Sequence, residues 1–499
     1  MVPIQDSRCQ SRFTESVVAV FCACLMTWAT ALCVAGWIVS ATPATAQSSA
    51  TCAETMSWTD PPSATPPADV CATSGAIDDK DFYALSWQLF KFLVWPASDQ
   101  RGKPDASKKI TDAGPPTFVS LKGDWEIFLK DARQPADWNV YPATAEPCGN
   151  HPSISRGTLV LASSNKFGNL KEVFEPGLDS FLIAQNQTYV RYGVGYNETV
   201  FNKIKEERLF IRDIVSGIPD APPGQLISDL GKLNDGALTV KSAWIELPKG
   251  GPHHIDPSRF YVTDALIQDP DENKTDCRVA TVGLVGLHIV YKTPSRPQWI
   301  WSTFEHVNNV PEPTPSPSPD AHFTFNDGNP DHHMTDAPEP DFQIPRPAGA
   351  NGPGVPPRAF QVERLQRIEA EVLAANSAQR SALGSLGSVW KNYKLVMTQW
   401  PRLASSPTAG ANSAKPSCSI RAGSATVNTA METFHQTSLS HCFVERTCMG
   451  CHEKARKTDY VFSILLEPNR PPNPATTPSG PDARAVAIKQ LEDLLQRSK

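Results

Sequence analysis

Thirteen prolines fall within the 47 residues from Pro311 to Pro357, and no regular element tolerates that density. Proline lacks a backbone N–H and fixes φ near −65°, so it breaks helices and is excluded from central strands. The run Pro311-Glu312-Pro313-Thr314-Pro315-Ser316-Pro317-Ser318-Pro319 predicts a polyproline-like linker or long surface loop over 311–358. It divides the chain into a longer part before it and a shorter part after it. The whole sequence holds 46 prolines in 499 residues, about twice the ordinary share, which argues against an all-helical bundle.

Hydrophobic periodicity supplies the elements. In Asp81 to Trp95 the residues Phe82, Leu85, Leu89, Phe92 and Leu93 recur at helical spacing before Pro96, predicting a helix. Thr158 to Ala162 and Leu238 to Leu247 read as strands. Thr281 to Val307 is the strongest hairpin signal, with a bend at Thr293 to Pro297 between two β-branched and aromatic arms. If Lys292 pairs with Gln298, His288 and His306 lie on one side, roughly 13 Å apart along the strands, with Trp299 and Trp301 on the other. A helix is expected over Phe360 to Ala375 on the stripe Val362, Leu365, Ile368, Val372 and Leu373. A strand is expected within Val389 to Trp400 and an amphipathic helix over Asp482 to Arg497. The fold class is therefore α+β: a strand-rich body (81–310) with peripheral helices, and a C-terminal helical region (359–499).

The amino terminus reads as an address. Val17 to Val39 carries no charge, follows Arg8 and Arg12, and precedes Ala44-Thr45-Ala46-Gln47. That is the layout of a signal peptide over 1–46 with cleavage between Ala46 and Gln47. The apolar run is also long enough to remain as a membrane anchor if it is not cleaved. Either outcome exports the rest to the periplasm or beyond, beginning with a Ser/Thr/Pro-rich arm over 47–80. With 46 Lys+Arg against 52 Asp+Glu and no basic stripe, nucleic acid is a poor partner.

Beyond the leader stand Cys52, Cys71, Cys148, Cys277, Cys418, Cys442, Cys448 and Cys451. Cys448-Met449-Gly450-Cys451-His452 is a C-x-x-C-H sequence. Two thiols at this spacing can form thioethers with the two haem vinyl groups, and the adjacent imidazole then reaches the iron. The alternatives are zinc held by Cys442, Cys448, Cys451 and His452, or a redox dithiol. Export favours one covalent haem c, because that group is attached after export. The six remaining cysteines are expected to form disulfides, by nearest neighbours Cys52–Cys71, Cys148–Cys277 and Cys418–Cys442.

None of the 47 residues after His452 is Met or His, so a conventional sixth ligand must come from upstream. Met431, His435 and His441 form a near group, and His288 and His306 a far group on the hairpin. The expectation is a pocket wall built by that hairpin, with no strong His or Met ligand on the distal face. His322, His332, His333 and Met334 lie near Asp327 and Asp331, but their spacing suits an exposed loop better than a metal site. Trp87, Phe90, Phe92 and Trp95 read as core. Glu305 and His306, as strand neighbours, point to opposite faces.

On these residues the chain resembles a family of uncharacterised bacterial exported proteins identified as cytochrome c family proteins. The likeness lies in Ser86-Trp87-Gln88-Leu89-Phe90, Val94-Trp95-Pro96, Tyr189-Val190-Arg191-Tyr192 and Val240-Lys241-Ser242-Ala243-Trp244. It continues in Gly286-Leu287-His288-Ile289-Val290, Thr303-Phe304-Glu305-His306, Asn428-Thr429-Ala430-Met431-Glu432-Thr433 and the C-x-x-C-H motif. The resemblance implies an export signal and one covalent haem; it implies no substrate. Two functions follow as expectations: a monohaem c-type cytochrome transferring electrons with a periplasmic redox partner, or a peroxidase-like haem oxidoreductase with an open distal site.

Overall fold

The computed structural model describes residues 56–72, 75–162, 182–219, 232–248, 255–268, 276–312, 322–333, 358–400, 427–433, 448 and 452–471. The leader, the tail helix expected over Asp482 to Arg497, Cys52, Cys418, Cys442, Cys451, Met334, His435 and His441 lie outside them. Among the described residues no helix is long and apolar enough to cross a membrane.

Eight strands make one sheet: β1 (Lys122–Gly123), β2 (Leu159–Leu161), β3 (Val190–Tyr196), β4 (Leu238–Glu246), β5 (Val262–Gln268), β6 (Cys277–Thr293), β7 (Arg296–His306) and β8 (Tyr393–Gln399). Their order is β1-β3-β4-β6-β5-β2, with β7 pairing β6 and β8 pairing β7. All pairs are antiparallel except β2 with β5. The run curls until its ends approach: a Cβ added to Gly193 of β3 would sit 3.1 Å from Leu161 of β2. The result is a nearly closed, barrel-like sheet with helices packed against it, the α+β architecture expected from the sequence.

β6 organises the sheet. Along one edge it pairs with β4, and along the other first with β5 and then with β7. The seam between β5 and β7 is closed by a side chain. The Tyr393 hydroxyl accepts from Tyr261 N at 3.0 Å and donates to the Leu284 carbonyl at 2.9 Å, replacing ladder bonds the seam would otherwise lack. β8 follows the proline-rich stretch and β7 precedes it, so the segments flanking that stretch share one sheet.

Helix α1 (Asp79–Val94) starts at a capping box in which Asp78 accepts from Lys80 N and Asp81 N while Asp81 accepts from Asp78 N, satisfying donors a helix end leaves open. Its aromatic face enters the main core: Phe90 stacks on Phe304 of β7 at 4.4 Å and Phe82 on Trp400 at 3.9 Å. Ser86 Oγ bridges Ser302 Oγ and Thr398 Oγ1, binding the helix to β7 and β8. The Cys148–Cys277 disulfide (Cα–Cα 5.2 Å) ties the 143–158 loop to the start of β6, the pairing expected by proximity. Cys277 N and O both bond Asn150 beside it.

Two expectations are corrected. The helix placed over Phe360 to Ala375 starts ten residues later, as α5 (Ala370–Ser385). Residues before it are extended because they have other partners: Phe360 N donates to Ile183 O, Val362 N to Phe325 O, and buried Arg364 pairs with Glu305. Tertiary pairing here overrides helical periodicity, and the stripe residues Leu365 and Leu373 stay about half exposed. The second correction is the hairpin register. The bend is only Pro294-Ser295, with Thr293 opposite Arg296, and a bulge follows between Tyr291 and Thr293. Trp299 takes φ +75°. His288 therefore faces Thr303 and Val290 faces Trp301, so Trp301 shares a side with His288. His306 lies on the opposite side, since one residue of slip exchanges faces.

Candidate haem-attachment site

The C-terminal segment carrying His452 is bound onto the strands from both sides. Helix α6 (Phe462–Leu466) is held by Tyr196 of β3, whose hydroxyl bonds Ser463 Oγ. The Arg212 guanidinium, from helix α4 (Arg212–Ser216), donates to the Leu465 and Leu466 carbonyls, filling acceptors that a helix C-terminus leaves open. Asn469 Nδ2 donates to the Phe128 and Leu129 carbonyls.

Between His452 and α6 the backbone turns through two left-handed residues, Asp459 (φ +52°) and Tyr460 (φ +67°). Left-handed backbone costs a non-glycine residue about 1–2 kcal/mol, so something must hold it there. Asp459 supplies the restraint. Its buried carboxylate pairs with Lys292 of β6, accepts from Leu233 N at 2.8 Å and lies 3.4 Å from Trp299 Nε1. Burial pushes the Asp459 carboxyl up, and the Lys292 ammonium offsets this only in part.

That turn aims the Tyr460 carbonyl back at His452, whose Nδ1 lies 2.6 Å from it. A carbonyl can only accept, so Nδ1 carries the hydrogen and Nε2 the lone pair in the neutral ring. Metal-ligating histidines are oriented in the same way, by donating their other ring N–H to a carbonyl or carboxylate. Trp301 of β7 and Phe462 of α6 flank the imidazole at 4.5 and 4.9 Å between ring centres. Cys448 is half-buried against the main core. A thiol and an imidazole whose Nε2 carries the lone pair are the donor chemistry that a covalently attached haem would need of Cys448 and His452. Among the described residues no group of three or more His, Cys, Asp or Glu is arranged to hold a bare metal ion.

Of the upstream candidates, His288, His306 and Met431 fall among the described residues. His306 is fully buried and both its nitrogens are engaged: Nε2 donates to the Arg259 carbonyl at 3.0 Å and Nδ1 accepts from Asn308 N at 3.2 Å. Its ring stacks on Phe260 at 3.9 Å, and burial holds its pKa down to about 3. It is a structural histidine. Met431 is buried in the second core with Tyr192, Ala243 and Val285, close against Gly286. His288 lies on the Trp301 side, with Nε2 3.1 Å from Glu432 Oε1. His332 is exposed and bonded to Asp327 and Asn329, a loop histidine. Glu305 faces away from His306, into a buried network with Arg364, Lys394 and Thr429. Burial opposes its charge, but the two cations and the Thr429 donors outweigh that and hold its carboxyl below the usual range.

Asp459, Tyr460, Lys292, Trp301 and Glu432 complete this neighbourhood, and no local motif marks them. Compared with protein-family models, with curated proteins and with solved structures, the chain matches none.

Proposed function

We propose that the chain is an exported monohaem c-type cytochrome. Cys448 and Cys451 would hold one haem covalently, His452 would supply the axial nitrogen, and a periplasmic partner protein would exchange electrons with it. The observation that carries this reading is the His452 Nδ1–Tyr460 carbonyl bond, which sets the tautomer an axial ligand needs and sits directly on a C-x-x-C-H sequence. The haem, when bound, supplies one-electron chemistry. The chain's own residues orient and shield: Asp459 fixes the turn that presents the carbonyl, while Trp301 and Phe462 keep water from the imidazole. A disulfide between Cys148 and Cys277 accords with an oxidising compartment.

A second reading, a peroxidase-like haem oxidoreductase with an open distal face, is favoured by one observation: His306 and Met431 are both committed elsewhere. Holoprotein from a host with c-type maturation should keep its haem through acid–acetone extraction, and Cys448→Ala with Cys451→Ala should lose it. Stoichiometric zinc in place of haem would overturn the proposal. A low-spin ferrous form indifferent to carbon monoxide would select electron transfer; a carbon monoxide complex would select the second reading.

A further inference from the structure

On the sheet face that Trp301 shares, the strands carry an imidazole that no packing role explains. His288 of β6 stands opposite Lys241 of β4 and Thr303 of β7, and directly paired residues share one side of a sheet. Trp301, whose ring touches His452, is paired with Val290 two residues further along. His288 and Trp301 are therefore diagonal neighbours on one face, with Cβ atoms ~7–8 Å apart. Nε2 of His288 is buried and makes no aligned hydrogen bond among the described residues, yet Glu432 Oε1 lies 3.1 Å away.

Glu432 is itself fixed. Its other oxygen accepts from Asn428 N at 3.2 Å, and Asn428 is anchored by donating to Thr303 Oγ1 and the Phe304 carbonyl at 2.9 and 2.7 Å. A carboxylate beside Nε2 favours the hydrogen there and places the lone pair on Nδ1. A base held by an orienting acid is the usual construction of a proton-transfer site. Among the described residues, the other charged groups near this face include Lys241, whose ammonium lies 4.7 Å from the Tyr192 ring centre, Glu305, already neutralised by Arg364 and Lys394, and the Lys292–Asp459 pair.

We propose that His288 and Glu432 form an acid–base pair serving small protic ligands H–X, weak acids of the hydroperoxide and hydrogen cyanide type, that bind at the haem iron. This rests on the haem reading above. With a haem held by His452, the H–X bond would break as the ligand binds, its proton passing to His288 Nδ1 and X⁻ keeping the bonding electron pair. When X⁻ leaves it takes the proton back, so no electron is transferred by the pair. Glu432 orients the ring and stabilises the imidazolium.

The probe is cyanide, mixed with ferric holoprotein at neutral pH and followed in the Soret band. His288→Gln should slow association about 100-fold, the lower end of what a positioned base contributes, and Glu432→Gln should slow it by a smaller factor. Covalent haem content, read by haem stain after denaturing electrophoresis, should stay unchanged in both. Wild-type association rates in the two folded variants would refute the pair. So would a low-spin wild type that becomes high-spin in His288→Gln, because His288 would then be the iron's own ligand. Absence of stainable haem in wild type would instead refute the attachment reading, and the two failures are told apart by that stain alone. Circular dichroism identifies a variant that has lost its fold, and the Glu432 variant then decides the matter.

Discussion

Replacing Asp459 by Ala should cost far more than an ordinary surface or loop change. The carboxylate is 2% exposed and serves Lys292, Leu233 N and Trp299 Nε1 together. Removing one partner of a buried ion pair typically costs 3–5 kcal/mol, because the other charge stays behind without compensation. The Leu233 N–H also loses its acceptor, a further ~1–3 kcal/mol if it stays buried. Alanine would in addition have to hold φ +52° without the restraint. A loss of about 5 kcal/mol follows, comparable with the whole stability of a modest domain. The assay is urea unfolding followed by tryptophan fluorescence, for which Trp299 and Trp301 are local reporters. The control is the double replacement Lys292→Met with Asp459→Leu. It removes both charges, and since buried pairs exchanged for apolar residues are often neutral in stability, it should recover most of the loss. A single-variant cost below about 1.5 kcal/mol would show that the pair does not clamp the turn.

Two further outcomes follow from groups described above. His306 is neutral in the fold at a pH where the unfolded chain is protonated, so the unfolded state binds more protons between about pH 6.5 and 3. Stability must therefore rise with pH across that window and fall on acidification. Against wild type, His306→Gln should gain nearly 3 kcal/mol between pH 7.5 and 4.5 in parallel denaturant titrations; a difference independent of pH would refute the assignment. Removing the Cys148–Cys277 link, which spans 129 residues, should cost about 2–5 kcal/mol and lower the midpoint of thermal unfolding.

What was legible in the sequence was local. Helix α1 announces itself through its periodicity and Pro96, the hairpin through β-branched arms, and the C-x-x-C-H motif through five adjacent letters. The register of the hairpin was not legible, because it turns on a bulge at Lys292 and on Trp299 adopting positive φ, neither of which composition signals. Residues 360–369 misled for a different reason: Val362 and Ile368 do repeat at helical spacing, but Arg364 must reach Glu305 across 59 positions. His306 and His288 look alike as letters. Only the partners of their ring nitrogens distinguish a packed histidine from one poised for chemistry.

The contacts of the C-terminal segment bear on the order in which the molecule is made. Ser463 meets Tyr196 across 267 positions, Asp459 meets Lys292 across 167, and Asn469 meets Phe128 across 341. Contacts of such separation form late, since each must close a long stretch of chain before it returns any energy. The strands therefore form first, with Tyr196, Lys292 and Trp301 uncovered until the segment around His452 docks. On the haem reading proposed above, that interval would be the time for Cys448 and Cys451 to be modified. Once Asp459 has locked to Lys292, the imidazole is enclosed by Trp301 and Phe462, so on that reading modification would have to precede closure.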